Sequence, residues 1–184
     1  QWIKQGHEPI PVAVNVSSYQ FNKKLIDQVE RSLKQANLAP QWLVIEITES
    51  ALMDDPDFTK QTLSTLRELG VKIALDDFGT GYSSLAYLKR FPIDKLKIDK
   101  AFINGLPKDQ DDLVITRSII DVACNLNMII IAEGVETQAQ ELLLKKLGCH
   151  QMQGYLKAKP VNAQTFSEQH FTKKANIFSA AQDS

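Results

Sequence analysis

Two adjacent aspartates, Asp76 and Asp77, close the apolar run Val71 to Leu75, and the turn Gly79-Thr80-Gly81 follows with Ser83 and Ser84 beyond it. Carboxylates at a strand end, ahead of a glycine-hinged loop, suit a divalent cation that handles phosphate. The same letters also describe a solvated strand-to-helix turn, so the pair gains weight only if other strands end alike. They do. Alternation along each apolar run sets Asn15 opposite Val14 and Val16, Glu46 opposite Ile45 and Ile47, and Asp76 opposite Ile73 and Leu75. In the same way Lys97 opposes Leu96 and Ile98, Glu133 opposes Ile130 and Ala132, and Gln153 opposes Met152. One amide, several carboxylates, a lysine and a glutamine make up a carboxylate metal centre beside a lysine able to orient water or neutralise phosphate. Charges repeated in this parity would be costly if buried with nothing to bind.

The elements that must carry these residues alternate. Gln1 to Gly6 reads as the last turn of a helix, and a chain that opens there without Met reads as a fragment. Strands are expected at Pro11–Val16, Trp42–Thr48, Val71–Asp77, Lys95–Asp99, Met128–Glu133 and Cys149–Gly154. Between them run helical patterns from Phe21 to Ala36, from Pro56 to Gly70 with Asp55 as cap, and near Leu85 to Arg90. A further helix starts at Asp111 or Asp112, and another follows the capping box of Thr137 and Gln140. Ala51 to Asp55 reads as loop, Ala163 to His170 as helix, and residues from about 175 to 184 as a frayed tail.

Strand–helix alternation with short connections means right-handed βαβ units and a parallel sheet. The fold class is therefore α/β: a TIM-type (β/α) barrel, incomplete here, with about six of its eight βα units. A doubly wound open sheet is the competing architecture. With no linker or repeat, residues 1–184 read as one domain. In the barrel, the polar strand ends converge at the mouth where such folds place their chemistry.

Composition narrows the classes. Lys and Arg number 21 against 22 Asp and Glu, so no basic field points to a nucleic-acid polymer. No apolar run approaches the roughly 18 residues of a membrane span and no signal peptide opens the chain, so no membrane contact by this domain is expected. Cys124 and Cys149 lack Cys-x-x-Cys spacing and read as core thiols of a reducing, cytoplasmic compartment, although the parent protein could be membrane-anchored. His7, His150 and His170 form no paired motif, which favours Mg²⁺ or Mn²⁺ over Zn²⁺.

Taken with their neighbours, these residues resemble the EAL domain of bacterial cyclic di-GMP phosphodiesterases. The matching motifs are Asn15-Val16-Ser17, Glu46-Ile47-Thr48-Glu49, Asp76-Asp77-Phe78-Gly79-Thr80-Gly81-Tyr82-Ser83-Ser84, Lys97-Ile98-Asp99, Glu133-Gly134-Val135-Glu136 and Gln153-Gly154-Tyr155, in family order. The resemblance implies hydrolysis of cyclic di-GMP to linear pGpG at a two-metal site using Mg²⁺ or Mn²⁺, with Ca²⁺ inhibitory. It implies that Asn15, Glu46 and Asp76 hold one metal and that Asp76 bridges to a second beside Asp77. Glu133 then sits by the second metal or the attacking water, Lys97 holds that water, and Gln153 completes the site. It casts Glu49 as support for the loop Phe78, Gly79, Thr80, Gly81, Tyr82, Ser83 and Ser84, which shapes the site and a homodimer contact. Glu136, Tyr155, Lys157 and Pro160 fall at the substrate rim.

Two departures stand out. The Glu-Ala-Leu motif that names the family is absent, and in such domains it supplies a metal ligand from an earlier strand. The fragment alone is therefore expected to be inactive. Lys157-Ala158 stands where the family shows Phe-Ser, at the rim. The alternative reading is an inactive EAL-type receptor for cyclic di-GMP, or a protein-interaction module. A Mg²⁺ enzyme of the enolase kind shares the residue inventory but has no use for the Asp-Phe-Gly-Thr-Gly-Tyr-Ser-Ser loop.

Overall fold

The computed structural model describes residues 2–79 and 85–171. The expectations placed on Thr80 to Ser84 and on the tail after residue 175 lie outside the described residues. The residues group into two compact units: Ile10–Lys157, and the chain ends Gln1–Pro9 with Ala158–Ser184.

Six strands form the larger unit's sheet: β1 (Val12–Val16), β2 (Leu43–Thr48), β3 (Lys72–Phe78), β4 (Lys95–Ile98), β5 (Ile129–Ala132) and β6 (Gln151–Met152). Every described pair is parallel and the spatial order is the chain order, β1 to β6. Sequential parallel order is that of a (β/α) barrel; a doubly wound sheet would reverse direction part-way. Among the described strands, β1 pairs only with β2 and β6 only with β5.

The helices between them are α1 (Leu25–Ala36), α2 (Glu49–Met53), α3 (Pro56–Glu68), α4 (Leu85–Arg90), α5 (Lys100–Asn104), α6 (Gln110–Asn125) and α7 (Gln138–Leu147). Ile45, Ile47, Ile73, Leu75, Leu96, Ile98 and Ile130 are sealed in the core, as their parity requires. Ala74 on the other face of β3 is also buried, so this central strand is covered on both sides. Val12 and Val14 at the edge strand stay half exposed.

Local chemistry fixes the helix starts. The Asp55 carboxylate accepts the Phe58 N–H at 3.1 Å with Pro56 in the first helical position. Thr137 and Gln140 form the expected reciprocal box on α7, which Gly148 ends in the left-handed region. The α6 cap differs from expectation. Asp109, not Asp111 or Asp112, accepts the N–H groups of Asp111 (2.9 Å) and Asp112 (3.1 Å), leaving those two in the first turn. Residues 49–53, expected as loop, are helical, and α5 follows β4 without a sequence signal having marked it.

The smaller unit ties the chain ends together. Ile3–Gln5 is a short 3-10 turn stopped by Gly6, and α8 (Ala163–His170) opens at an Asn162 cap. Trp2 stacks on Phe166 with ring centres 5.3 Å apart, and His7 stacks on Phe171 at 4.2 Å. The Trp2 indole N–H donates to Ser167 Oγ.

Candidate metal centre

Parallel register sets the polar strand ends side by side. Asn15 is level with Glu46 on β1 and β2, Thr48 with Asp76 on β2 and β3, and Lys97 with Ile131 on β4 and β5. Glu133 lies one residue past β5, its N–H donating to Ile98 O at 3.1 Å. Lys97, only 6% exposed, sits at the centre. Its Nζ lies 3.0 Å from Glu46 Oε2, 2.8 Å from Asp76 Oδ1 and 2.6 Å from Glu133 Oε1. Three strands thus deliver carboxylates to one ammonium delivered by a fourth.

Asp77 joins them through an irregularity. Between Leu75 and Phe78 the β3–β4 pairing slips, so that β3 spends one residue more than β4. Asp77 takes φ +53°, a left-handed conformation that aspartate tolerates better than bulkier residues. Strict alternation would send Asp77 to the face opposite Asp76. The bulge instead leaves carboxylate oxygens of Asp76, Asp77 and Glu133 all within 4.8 Å of one another.

The electrostatics follow from crowding. Burial alone would lower the Lys97 pKa, but hydrogen bonds to Asp76, Glu133 and Glu46 outweigh it and hold the group above the ordinary lysine range. Lys97 is a fixed cation. Burial pushes the Glu133 carboxyl up, against the pull of Lys97 and with the help of the Asp76 and Glu46 charges. Burial also raises Asp77, followed by the Asp76 charge and a hydrogen bond with the Asp99 carboxyl. One ammonium therefore faces four carboxylates, two of them resisting ionisation. Closely set oxygen donors with excess negative charge are what a hard divalent cation takes, so the residues present fit a Mg²⁺- or Mn²⁺-type group.

The other sequence-predicted residues are spread over several elements. Glu49 is buried, and its Oε2 accepts the Gly79 N–H at 3.4 Å, while its Oε1 has no partner among the described residues. Phe78 is buried at the end of β3, level with Ile98. Asn15 and Gln153 are exposed at the two outer strands. The Gln153 backbone is held on both sides, N–H to Ala132 O at 2.8 Å and O from Val135 N–H at 3.0 Å. Gly154 has no room for a side chain there, because a methyl would collide with the Val135 backbone. The Glu136 N–H donates to Gln140 Oε1 at 2.9 Å, and Tyr155 is exposed. The Lys157 ammonium lies 2.7 Å from Glu141 on α7, where Lys145 also pairs. Those two hydrogen bonds hold the Glu141 carboxyl below its usual range. Pro160 belongs to the smaller unit. Asp99 received no role from the sequence. It caps α5, accepting the Ala101 N–H at 2.7 Å, and it meets Asp77.

The EAL domain family matches residues 1–160. The chain belongs to the EAL domain family. It is 46% identical over 164 residues to MucR of Pseudomonas aeruginosa, a bifunctional diguanylate cyclase/cyclic di-GMP phosphodiesterase, covering 89% of this chain and 24% of that protein. The EAL chain thus spans about a quarter of that curated relative. The structure of the PaMucR phosphodiesterase in complex with c-di-GMP superposes with a TM-score of 0.85 at 46% identity, over 90% of this chain and 67% of that one. The manganese/cyclic di-GMP complex of Klebsiella pneumoniae BlrP1 gives 0.76 at 30% identity, over 84% and 40%. No described helix is long and apolar enough to cross a membrane.

Proposed function

We propose that this chain is the greater part of a metal-dependent phosphodiesterase domain that hydrolyses cyclic di-GMP to linear pGpG. One observation carries the reading: Glu46 of β2, Asp76 of β3 and Glu133 just past β5 meet within 3.0 Å of the buried Lys97 ammonium. The likeness to the PaMucR complex with c-di-GMP supports the choice of substrate.

In this reading Asn15, Glu46 and Asp76 hold one cation, and Asp76, Asp77 and Glu133 hold a second. Mg²⁺ or Mn²⁺ suits the oxygen donors, and Ca²⁺ inhibits. When bound, the cations polarise the phosphodiester oxygens and lower the pKa of the attacking water. Lys97 faces the negative charge that develops on the phosphoryl group. Glu133, whose Oε1 lies 2.6 Å from Lys97 Nζ, takes up the proton that the water releases. Gln153, one residue past β6, orients substrate, and Glu136, Tyr155 and Lys157 form the rim. Glu49 steadies the loop from Phe78 to Ser84, which also serves a homodimer contact. The domain works in the cytoplasm, and both compact units belong to it, since the family match crosses both.

The test is the release of linear pGpG from cyclic di-GMP by the full parent protein with Mn²⁺. Turnover that falls at least ~100-fold in Glu133→Gln, as expected for removal of a group acting in the transition state, supports the reading. Binding of cyclic di-GMP without any pGpG would overturn it in favour of a receptor.

A further inference from the structure

The far end of the sheet carries the reverse charge pattern. Where β3, β4 and β5 begin, a cavity of about 360 Å³ opens, within the usual size of a small-molecule site. Four cations line it, Arg67, Lys72, Lys89 and Lys95, against a single carboxylate, Asp94.

Asp94 is already committed. Its Oδ1 lies 3.2 Å from Lys72 Nζ and 3.6 Å from Arg67 Nε, and its Oδ2 accepts the Ile73 N–H at 3.1 Å. Its backbone is fixed as well, N–H to Ile73 O at 3.0 Å and O from Ile129 N–H at 2.9 Å. The ammonium groups of Lys89 and Lys95 have no ion pair or hydrogen-bond partner among the described residues. In a chain whose formal net charge is −1, this is a local positive excess that no neighbouring carboxylate neutralises. The rest of the wall is apolar, with Phe91 and Met128 packed beneath and Ile129 38% exposed.

We propose that this cavity binds a phosphate monoester of a small organic molecule. The two unpaired ammoniums serve as point charges for the phosphate dianion, with Lys72 and Arg67 beside them. The accessible part of the apolar wall, the half-buried Pro92 and Leu126 with the exposed Ile129, takes the organic part. The site is separate from the carboxylate mouth. The cavity wall includes none of Glu46, Asp76, Asp77, Lys97 and Glu133. Lys95 and Lys97 share a face of β4, so a ligand at the base bears on the strand that holds the central ammonium. The proposal stands independently of the phosphodiesterase reading.

Phenyl phosphate is the probe, titrated into ¹⁵N-labelled protein with a chelator present, with inorganic phosphate and phenol as controls. Saturable shifts are expected at the amides of Lys72, Lys95, Asn127 and Ile129. Phenyl phosphate should bind at least tenfold more tightly than inorganic phosphate, and phenol should not saturate. Lys89→Glu, on an exposed helix end, and Lys95→Gln should each weaken binding at least tenfold while shifts elsewhere stay in place. Shifts confined to the mouth, equal affinity for phosphate with and without the phenyl group, or an affinity unmoved by both variants would each overturn the proposal.

Discussion

The two ends of these strands are electrostatic opposites. At the mouth one cation, Lys97, is surrounded by Glu46, Asp76 and Glu133. At the base one carboxylate, Asp94, lies under Arg67 and Lys72 with Lys89 and Lys95 nearby. Burial separates them more than sign does. The difference lies in the cations: Lys97 is 6% exposed, whereas Arg67 and Lys72 are 51% and 46% exposed, while the Asp94 carboxylate at 11% is as buried as Glu46. Charges taken out of water depend on one another, because each is costly without its partner. Half-exposed charges are screened and contribute little to stability. The mouth is therefore a coupled set that demands a cation, and the base is a loose set that leaves cations available.

Substitutions at the two ends test that contrast. Lys97→Met should have the larger effect. It strands the surrounding carboxylates, and removing one partner of a buried ionic set costs about 3 kcal/mol or more. Urea unfolding in the presence of a chelator measures the loss, and Mn²⁺ should restore most of it by replacing the missing positive charge. An unchanged midpoint in chelator would mean that the mouth charges are not coupled. Asp94→Ala should cost less, about 1–3 kcal/mol, chiefly from leaving the buried Ile73 N–H without its acceptor, since ion pairs to half-exposed cations add little. It should also tighten phenyl phosphate at the base by releasing Arg67 and Lys72. A stability loss as large as that of Lys97→Met would erase the distinction between the ends.

Much of this site was legible from alternation alone. Glu46, Asp76, Lys97 and Glu133 sit opposite sealed apolar residues on their strands, and parallel register could only bring them to one end. The caps at Asp55 and Thr137 were legible too, because their chemistry is local. What stayed hidden depends on how strands pair. The bulge at Asp77 is a mismatch between β3 and β4, and neither strand announces it by itself. Asp99 looked like the end of a strand, and its meeting with Asp77 needs both the bulge and the α5 turn. β6 shrinks to two residues because only Gln151 and Met152 find partners on β5. The base cavity joins residues from five segments, none of which carries a motif.

Calorimetric titration of Mn²⁺ into the wild-type protein and Asp76→Asn tests the central claim most directly, that the mouth carboxylates act as one cation-binding set built around Asp76. Wild type should take up Mn²⁺, and Asp76→Asn should lose at least ~100-fold in affinity, about 2.7 kcal/mol, at every site it affects. Full-affinity Mn²⁺ uptake by Asp76→Asn would contradict the account.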